Sequence, residues 1–268
     1  MTKLEEYYNK FNEDKRLLSR HGQVEFNTTF EYIHRMIDEI PAKNKKDIKI
    51  IDIGAGTGRY SLALAKEGYD VTSVELVKYN LGILKKHARE MDISEDNLKA
   101  YQGNALKLRK FKDDSFDIVI FLGPMYHLHG NEDKIQALLE AKRVLKKGGF
   151  LLAGYVMADY AIIRHGFMDR NIINSKESGA INDNFEIPSD ENELYDYVRI
   201  SDIDYLNEKA GLKRKLIFAP DGAADYIRNI LNEMAEEEFE LFKEYQQKNA
   251  ERPELLGASS HTVDILFK

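Results

Sequence analysis

The residues of this chain with the clearest chemical potential lie in a glycine-rich stretch, Asp52-Ile-Gly54-Ala55-Gly56-Thr-Gly58-Arg59. An apolar run precedes it and helically spaced apolar residues follow it, so the pattern predicts a strand, a tight turn and a helix. Glycines at such a turn let a ligand approach bare backbone, and the first turn of the helix offers unpaired N–H groups. An ordinary strand-to-helix loop, in which the glycines only supply positive φ, is the alternative.

The glycine spacing narrows the class of ligand. It is G-x-G-x-G followed by an arginine, whereas a dinucleotide turn uses G-x-G-x-x-G with a small residue for close helix packing. A P-loop is excluded, since no G-K-[ST] follows. Glu75 ends the next predicted strand, 21 residues after Gly54, which places it at the tip of a neighbouring parallel strand. A carboxylate at that tip accepts hydrogen bonds from both hydroxyls of a ribose.

These features resemble the class I S-adenosylmethionine-dependent methyltransferases. The matching segments follow in chain order as 52–58, Glu75, 103–105, 116–122 and 145–150. The resemblance implies S-adenosyl-L-methionine as cofactor and S-adenosyl-L-homocysteine as product. The residues expected to bind the cofactor are Gly54, Ala55, Gly56, Gly58, Glu75, Leu76, Asn104, Ala105 and Leu122. Arg59 and Arg20 are further candidates, as partners of the cofactor's carboxylate, with ordinary surface charges as the alternative.

A second motif indicates where the methyl group is transferred. Gly123-Pro124-Met125-Tyr126-His127-Leu128 resembles the G-P-L-Y-H-L signature of a bacterial methyltransferase subgroup, as does Arg20-His21-Gly22-x-x-Glu25-Phe26. Tyr126 and His127 follow the fourth strand, where the methyl group projects in this fold. We interpret both as catalytic candidates, with His127 as the base for a hydroxyl or protonated amine, because its unperturbed pKa lies near neutrality. Packing of the loop or cofactor binding is the alternative role.

The order of the predicted elements indicates an α/β protein. Strands are predicted at 48–53, 69–75, 98–102, 116–122, 149–155, 213–219 and 261–267, and helices at 57–67, 78–91 and 131–146. Strands that alternate with helices imply a doubly wound, mostly parallel sheet of the Rossmann-like kind. The resemblance adds that the last strand runs antiparallel beside the fifth and completes a seven-stranded sheet. Capping boxes predict helices that begin after Thr28 and after Ser201, the second ending at Gly211.

One domain is expected over residues 1–268. Its parts are an N-terminal helical cap at 1–46, a cofactor-binding core at 47–155, and insertions at 156–200 and 220–258 that shape the acceptor pocket. Residues 1–26 are polar with scattered aromatics, so we interpret them as a short helix and loop that form a lid over the cofactor. The glutamates between 233 and 240 are interpreted as a solvated helix face.

The composition and net charge of the chain limit the possible classes of function. The chain has no cysteine, which excludes disulfides and thiolate metal ligands, and no His/Asp/Glu spacing suggests a metal. No apolar run approaches a membrane span, and the N-terminus lacks the apolar centre of a signal peptide, so a cytoplasmic location without membrane contact is expected. The net charge of −7 argues against nucleic acid as a partner.

The leading hypothesis is methyl transfer to an oxygen or nitrogen of a small-molecule acceptor. Its alternatives are a macromolecular acceptor, a nicotinamide oxidoreductase, which Arg59 and the glycine spacing oppose, and a non-catalytic cofactor-binding protein that acts through its acidic helix. The sequence leaves the acceptor, the methylated atom, the use of a base and the oligomeric state open. Chemistry of the Ser-His-Asp kind is disfavoured, since no G-x-S-x-G elbow is present.

Overall fold

A seven-stranded sheet forms the centre of the protein in a computed structural model, which describes Leu4, Glu6, Tyr7 and residues 19–268. The strands are β1 (Lys49–Ile53), β2 (Asp70–Glu75), β3 (Leu98–Gln102), β4 (Phe116–Phe121), β5 (Leu145–Val156), β6 (Lys213–Phe218) and β7 (His261–Phe267). Their order is β3-β2-β1-β4-β5-β7-β6. β1 to β5 are mutually parallel, and β7 pairs antiparallel with both β5 and β6. The predicted mostly parallel sheet is confirmed, including its antiparallel last strand.

Helices cover both faces of this sheet. They are α1 (Arg20–Asp38), α2 (Arg59–Lys66), α3 (Lys78–Glu90), α4 (Gly130–Val144), α5 (Ala158–Ala161), α6 (Ile172–Glu177), α7 (Ile200–Ala210), α8 (Arg228–Glu233), α9 (Glu236–Asn249) and α10 (Pro253–Leu256). Short 3₁₀ turns span Lys45–Asp47 and Pro124–His127, and a π-helical segment, Ile162–Met168, continues α5. Among the residues just described, no helix is both long and apolar enough to cross a membrane.

The central strand β4 shows how the sequence builds two cores. Its buried side chains alternate between the two faces of the sheet, with Ile118 and Ile120 packed towards α1, α2 and α3, and Val119 and Phe121 towards α4 and α7. Side chains alternate between faces along a strand, so a run of apolar residues is stable only when both faces are covered. Full burial of each such side chain contributes roughly 1.5–3 kcal/mol. The carboxyl ends of the parallel strands are thereby held at one rigid edge.

Two helix starts differ from their predicted positions. Helix α1 begins at Arg20, where Ser19 Oγ accepts a hydrogen bond from the Gly22 N–H, and the predicted capping residue Thr28 lies buried inside the helix. Helix α7 begins at Ile200, because the carboxylate of Asp202 accepts from the Arg199 N–H at 2.8 Å and caps the chain ahead of the predicted start. Both predictions were wrong because the first capping hydrogen bond of each helix involves a residue upstream of the predicted start, Ser19 in α1 and Arg199 in α7. The predicted end of helix α7 at Gly211 is confirmed, where φ is 61°.

The two insertions fold against the carboxyl edge of the sheet. The first contains α5, the π-helical segment and α6, and then continues without regular structure to residue 199. The second contains α8, α9 and α10. Helices α8 and α9 pack on α1 through a separate apolar cluster that includes Val24, Leu231 and Phe239. Residues 20–26 therefore belong to helix α1, which is held in place by α8 and α9. This corrects the expected loop over these residues.

Candidate cofactor cleft and adjoining chamber

A cleft of about 660 Å³ opens at the carboxyl ends of β1, β2, β3 and β4. The sequence-predicted residues that line it are Gly54, Ala55, Gly56, Arg59, Glu75, Leu76, Asn104, Ala105, Leu122, Tyr126 and His127. Leu4 and Phe26 contribute from the N-terminal region. Ligands of open α/β sheets bind at such an edge, where the strand order reverses between β1 and β4. We call this space the cofactor cleft.

The glycine turn is fixed by Glu75. One carboxylate oxygen of Glu75 accepts from the Gly56 N–H at 2.8 Å, and the other accepts from the Val77 N–H at 2.7 Å. The side chain is only 5% exposed, so Glu75 is not a surface charge. An ionised carboxylate has about four acceptor sites, so these two bonds are compatible with further donors such as ribose hydroxyls.

A buried polar chain lies beneath the turn. Ser73 Oγ donates to Ser61 Oγ at 2.7 Å, and Ser61 Oγ donates to a carboxylate oxygen of Asp52 at 2.6 Å. Burial raises the pKa of Asp52 to about 7, against the lowering effect of the Ser61 hydrogen bond, and the nearby charge of Glu75 adds to the rise. Asp52 therefore changes its protonation near neutral pH, directly behind the glycine turn.

The Gly123–Pro124 step packs directly on that turn. A Cβ on Gly54 would lie 2.7 Å from Pro124 Cδ, and a Cβ on Gly123 would lie 2.9 Å from the Gly54 carbonyl oxygen. Both positions therefore require glycine for close approach. Gly58 differs from the prediction, because it does not line the cleft. Its φ is 93° and a Cβ there would lie 2.6 Å from Leu84 Cγ, so it shapes the turn and the α2–α3 contact.

The segment 189–198 of the first insertion holds the second motif in place. His127 Nδ1 donates to the Leu194 carbonyl oxygen at 3.0 Å, and the Asp196 N–H donates to the Tyr126 carbonyl oxygen at 2.9 Å. Lys134, buried on α4, pairs with the Asp196 carboxylate at 2.5 Å. Backbone, aromatic and charged contacts thus join the motif to a segment that is distant in sequence.

His127 has a lower basicity than the sequence suggested. Burial lowers its pKa to about 4, although the hydrogen bond to Leu194 acts in the opposite direction. The expected role of His127 as a base rested on its unperturbed pKa, which lies near neutrality. The fold does not keep that value, because the imidazole is desolvated and stacks on Tyr195 with ring centroids 5.3 Å apart. A neutral His127 at physiological pH can position groups, but it is a weak proton acceptor.

A second cavity of about 330 Å³ adjoins the cofactor cleft, and we call it the chamber. Tyr126 and Glu25 line both spaces and form their common wall. The other lining residues are Tyr7, His21, Val156, Tyr160, His165, Tyr195, Tyr197, Asp221, Asp225, Arg228, Ser260 and His261. Most of these residues come from the two insertions, which supports the expectation that the insertions shape a pocket.

A histidine–carboxylate pair lies in the chamber wall. Asp221 accepts from His261 Nδ1 at 2.7 Å through one oxygen, and from Ser259 Oγ at 2.5 Å and the His261 N–H at 3.1 Å through the other. Possible ligand atoms of Glu25, Asp221 and His261 all lie within 4.8 Å of one another, which is close enough to hold a cation. The absence of a metal, expected from spacing along the chain, stays a prediction, since these residues meet only in the fold.

Arg20 lies outside the cofactor cleft. Its guanidinium donates to the carbonyl oxygens of Leu231 and Met234 and pairs with Glu236 at 3.2 Å. This corrects its expected contact with the cofactor, because Arg20 instead binds the second insertion to α1. Arg59 does line the cleft, with its guanidinium 4.4 Å from the centroid of the Phe26 ring.

Comparison with known proteins agrees with this architecture. Residues 51–153 match the family model of a methyltransferase domain. The chain is similar to demethylmenaquinone methyltransferase of Staphylococcus aureus, 33% identical over 108 residues that make up 40% of this chain and 43% of that protein. It is also similar to the uncharacterized methyltransferase YcgJ of Bacillus subtilis, 33% identical over 42% of this chain and 43% of that protein. A SAM-dependent methyltransferase of Thermotoga maritima, a possible histamine N-methyltransferase, has the same fold, with a TM-score of 0.56, 19% identity and coverage of 99% and 98% of the two chains.

Residues 51–153 thus match a methyltransferase domain, and the chain shares the fold of a SAM-dependent methyltransferase, in agreement with the family its motifs resemble. The matched part spans about 43% of the length of the curated relatives. The family match ends at residue 153, whereas Tyr160, Tyr195, Asp221 and His261 follow it. Most of the chamber lining thus lies outside the family match, with Tyr126 as the exception.

Proposed function

We propose that this protein transfers the methyl group of S-adenosyl-L-methionine to an oxygen or nitrogen of a small molecule. The observation that carries this proposal is the cofactor cleft, in which the glycine turn, Glu75 and the Asn104–Ala105 turn face one space of about 660 Å³. The residues fit the cofactor, because a buried carboxylate suits the ribose hydroxyls and the glycines admit a ligand to the backbone. Asn104 and Ala105 lie where the adenine is expected, with Leu76 at the rim.

The bound cofactor would supply an activated methyl group on a sulfonium. The protein then has mainly to align the acceptor in line with the carbon–sulfur bond and to exclude water. Tyr126 and His127 border the space where the methyl group is expected, and segment 189–198 fixes both through backbone hydrogen bonds. We assign them to positioning rather than to proton removal.

Small acceptors fit the adjoining chamber, since about 330 Å³ lies at the lower end of the range for small-molecule pockets, roughly 300–1,000 Å³. A net charge of −7 supports a partner other than nucleic acid. A cytoplasmic location stays a prediction.

The test has two stages. Calorimetric titration should give saturable binding of S-adenosyl-L-methionine and S-adenosyl-L-homocysteine, and no binding of either ligand would contradict the proposal. The protein should then be incubated with a cell extract and cofactor that carries an isotopically labelled methyl group. Mass spectrometry of the small-molecule fraction should reveal an enzyme-dependent labelled product. Label found only in the macromolecular fraction would favour a macromolecular acceptor instead.

A further inference from the structure

Aromatic rings supply most of the lining of the chamber. Five tyrosines and three histidines make up eight of the 14 described residues that line it, and Val156 is the one aliphatic side chain among them. An aliphatic ligand is best held by aliphatic walls, whereas a flat ring gains further stabilisation from offset and edge contacts with other rings. The composition of this wall therefore favours a ligand that is itself aromatic.

The tyrosine rings of this wall meet at steep angles. The ring centroids of Tyr126 and Tyr195 are 5.8 Å apart and the rings are inclined at 60°, and those of Tyr195 and Tyr197 are 6.3 Å apart at 62°. Tyr160 contacts Tyr226 in the same way, 5.3 Å apart at 64°. A planar ligand in such an enclosure can lie against one ring and meet the edge of the next, which is the arrangement that aromatic pairs prefer.

The carboxylate of Asp225 in the chamber wall is bound by other groups of the protein. It accepts hydrogen bonds from the Tyr160 hydroxyl and from Arg228. The guanidinium of Arg164, which pairs with Asp169, lies 3.8 Å from the same carboxylate. Asp225 thus lies between two permanently charged arginines, and its charge is largely compensated within the protein.

The other two carboxylates of the lining are engaged as well. Asp221 accepts three hydrogen bonds, from the Ser259 hydroxyl and from the ring and backbone N–H groups of His261. Glu25 is not free either. A charged ligand would have to share or displace the partners that these carboxylates already have, whereas an uncharged ring would leave them in place. The wall therefore favours an uncharged ligand.

We propose that the chamber binds a small, uncharged aromatic compound with a hydroxyl or amino group, and that this compound is the methyl acceptor. This inference rests on the proposed function. The ring of the acceptor lies among the tyrosines, and its hydroxyl or amino group points to Tyr126, in the wall shared with the cofactor cleft. A lone pair of that group attacks the methyl carbon, the carbon–sulfur bond breaks, and its electron pair passes to sulfur. The proton of the methylated group passes to water.

The first experiment compares substrate classes. Wild-type protein with S-adenosyl-L-methionine is offered single-ring phenols, aromatic amines and benzyl alcohols, each with its cyclohexyl counterpart, and a set of aliphatic amines and carboxylates. Formation of S-adenosyl-L-homocysteine is followed, and turnover of aromatic members is the expected result. Turnover confined to saturated or charged compounds, or no turnover of any aromatic member by protein that binds the cofactor, overturns the assigned substrate class while the proposed function stands. Failure to bind the cofactor contradicts the proposed function itself.

The second experiment measures the preference for a ring at equilibrium. Wild-type protein saturated with S-adenosyl-L-homocysteine is titrated with the best aromatic acceptor and with its cyclohexyl counterpart. Because neither ligand can react, the comparison is free of any difference in chemical reactivity. The aromatic compound should bind more tightly by about 3- to 10-fold, the range expected for one good ring contact. Equal affinities, or tighter binding of the saturated compound, overturn the proposal.

Tyr197 is the most suitable position for a variant. It lines the chamber, and its hydroxyl makes no hydrogen bond to another residue of the described part of the chain, so its replacement breaks no such bond. Tyr197→Phe keeps the ring and should bind the aromatic ligand within about twofold of wild type. Tyr197→Leu keeps an apolar side chain without a ring, and should weaken binding by about 3- to 10-fold relative to Tyr197→Phe. For the cyclohexyl counterpart the two variants should agree within about twofold.

Two controls keep these outcomes separate. Tyr205→Leu removes an exposed ring of helix α7, which does not line the chamber, and should leave both affinities unchanged. Affinity for S-adenosyl-L-homocysteine shows that each variant is folded. If Tyr197→Leu does not fold, the preference of the wild-type protein for the aromatic ligand still decides the proposal. An equal loss for the aromatic and the saturated ligand in folded Tyr197→Leu would show that the wall acts only as apolar surface, and would overturn the proposal.

Discussion

The carboxylate of Glu75 accepts a hydrogen bond from the Gly56 N–H at 2.8 Å, and so joins the tip of β2 to the middle of the glycine turn after β1. Its second oxygen accepts from the Val77 N–H. In the proposed function this buried carboxylate therefore has two tasks, since it holds the turn and also accepts the ribose hydroxyls. Substitutions of Glu75 therefore have to distinguish its support of the glycine turn from its contact with the ribose.

Glu75→Ala should weaken binding of S-adenosyl-L-methionine and S-adenosyl-L-homocysteine alike, because both carry the same ribose. Hydrogen bonds to a charged group contribute roughly 1.5–3 kcal/mol, so a loss of about 10- to 100-fold or more in affinity is expected. Glu75→Gln keeps one oxygen acceptor and should lie between alanine and wild type. Calorimetric titration of both ligands measures this. Equal affinities in all three proteins would show that the ribose binds elsewhere.

Asp52 should make the protein less stable as pH rises. Its pKa in the folded protein is about 7, against 3.8 ordinarily, so the native state holds this proton more tightly than the unfolded state. The stabilisation is complete below about pH 4 and is lost between about pH 4 and pH 7, by at most about 4 kcal/mol.

The variant Asp52→Asn tests this sign. It cannot ionise, but it keeps an oxygen that accepts from Ser61. Its free energy of unfolding, measured with urea, should rise relative to wild type as pH increases from about 4 to 8. Parallel stability curves for the two proteins would show that Asp52 ionises in the native state as it does in water.

The substitution His127→Asn should leave the pH profile of kcat unchanged. With a pKa of about 4, His127 is neutral above about pH 5, so it has no titration to lose in the working range. Asparagine retains a donor for the Leu194 carbonyl, and we expect less than about a tenfold fall in kcat. His127→Ala removes that hydrogen bond and should cost more, by releasing the segment that carries Tyr195. A low-pH limb of kcat that is present in wild type and lost in His127→Asn would make His127 the base.

Local patterns predicted the cofactor half of the site. The apolar runs and glycines that define β1 and its turn are adjacent in sequence, and so are the strand of Glu75 and its tip. The start of α1 was missed because Ser19 caps the chain upstream and the next residue, Arg20, is held by the carbonyl oxygens of Leu231 and Met234, more than 200 residues away. Local capping signals cannot register such partners.

The polar residues of the chamber were missed for a related reason, although a pocket shaped by the insertions was expected. Glu25, Asp221 and His261 carry no shared motif, and they meet because β7 inserts between β5 and β6 and brings its first residue to the carboxyl edge of the sheet. The low pKa of His127 likewise follows from the packing of segment 189–198, which has no periodic pattern. What the sequence did offer was a histidine at the start of the last predicted strand.

The ion pair between Lys134 and Asp196 should stabilise the folded protein, because it holds segment 189–198 against the second motif. Both side chains are buried, and Asp196 also accepts from the Gly130 N–H and Ser189 Oγ. Lys134→Met leaves that carboxylate without its cation and should destabilise the protein by about 3–5 kcal/mol. The double variant Lys134→Met/Asp196→Asn removes both charges and should recover part of this loss. A double-mutant cycle by urea unfolding measures the coupling, and independent, additive effects would contradict it.

The N-terminal segment 1–26 should become more protected when the cofactor binds. The described part of this segment places Leu4 and Phe26 against the cofactor cleft, Tyr7 and His21 against the chamber, and Glu25 against both. Residues 1–3, 5 and 8–18 lie outside the described part of the chain, so the lid formed by segment 1–26 stays a prediction. A segment that covers both spaces would exclude water from the transferring methyl group, which gives a physical reason for closure on binding.

Hydrogen exchange followed by mass spectrometry measures this protection, with S-adenosyl-L-homocysteine as the ligand. Amides of 1–26 should exchange more slowly in its presence, because ordering over the ligand lowers the population of open states. Helix α7, which packs on the sheet away from both spaces, serves as the internal control and should be unchanged. A truncation that begins at residue 19 should bind the ligand more weakly while α1 stays folded. Identical exchange of 1–26 with and without ligand would mean that this segment is a fixed wall and not a lid.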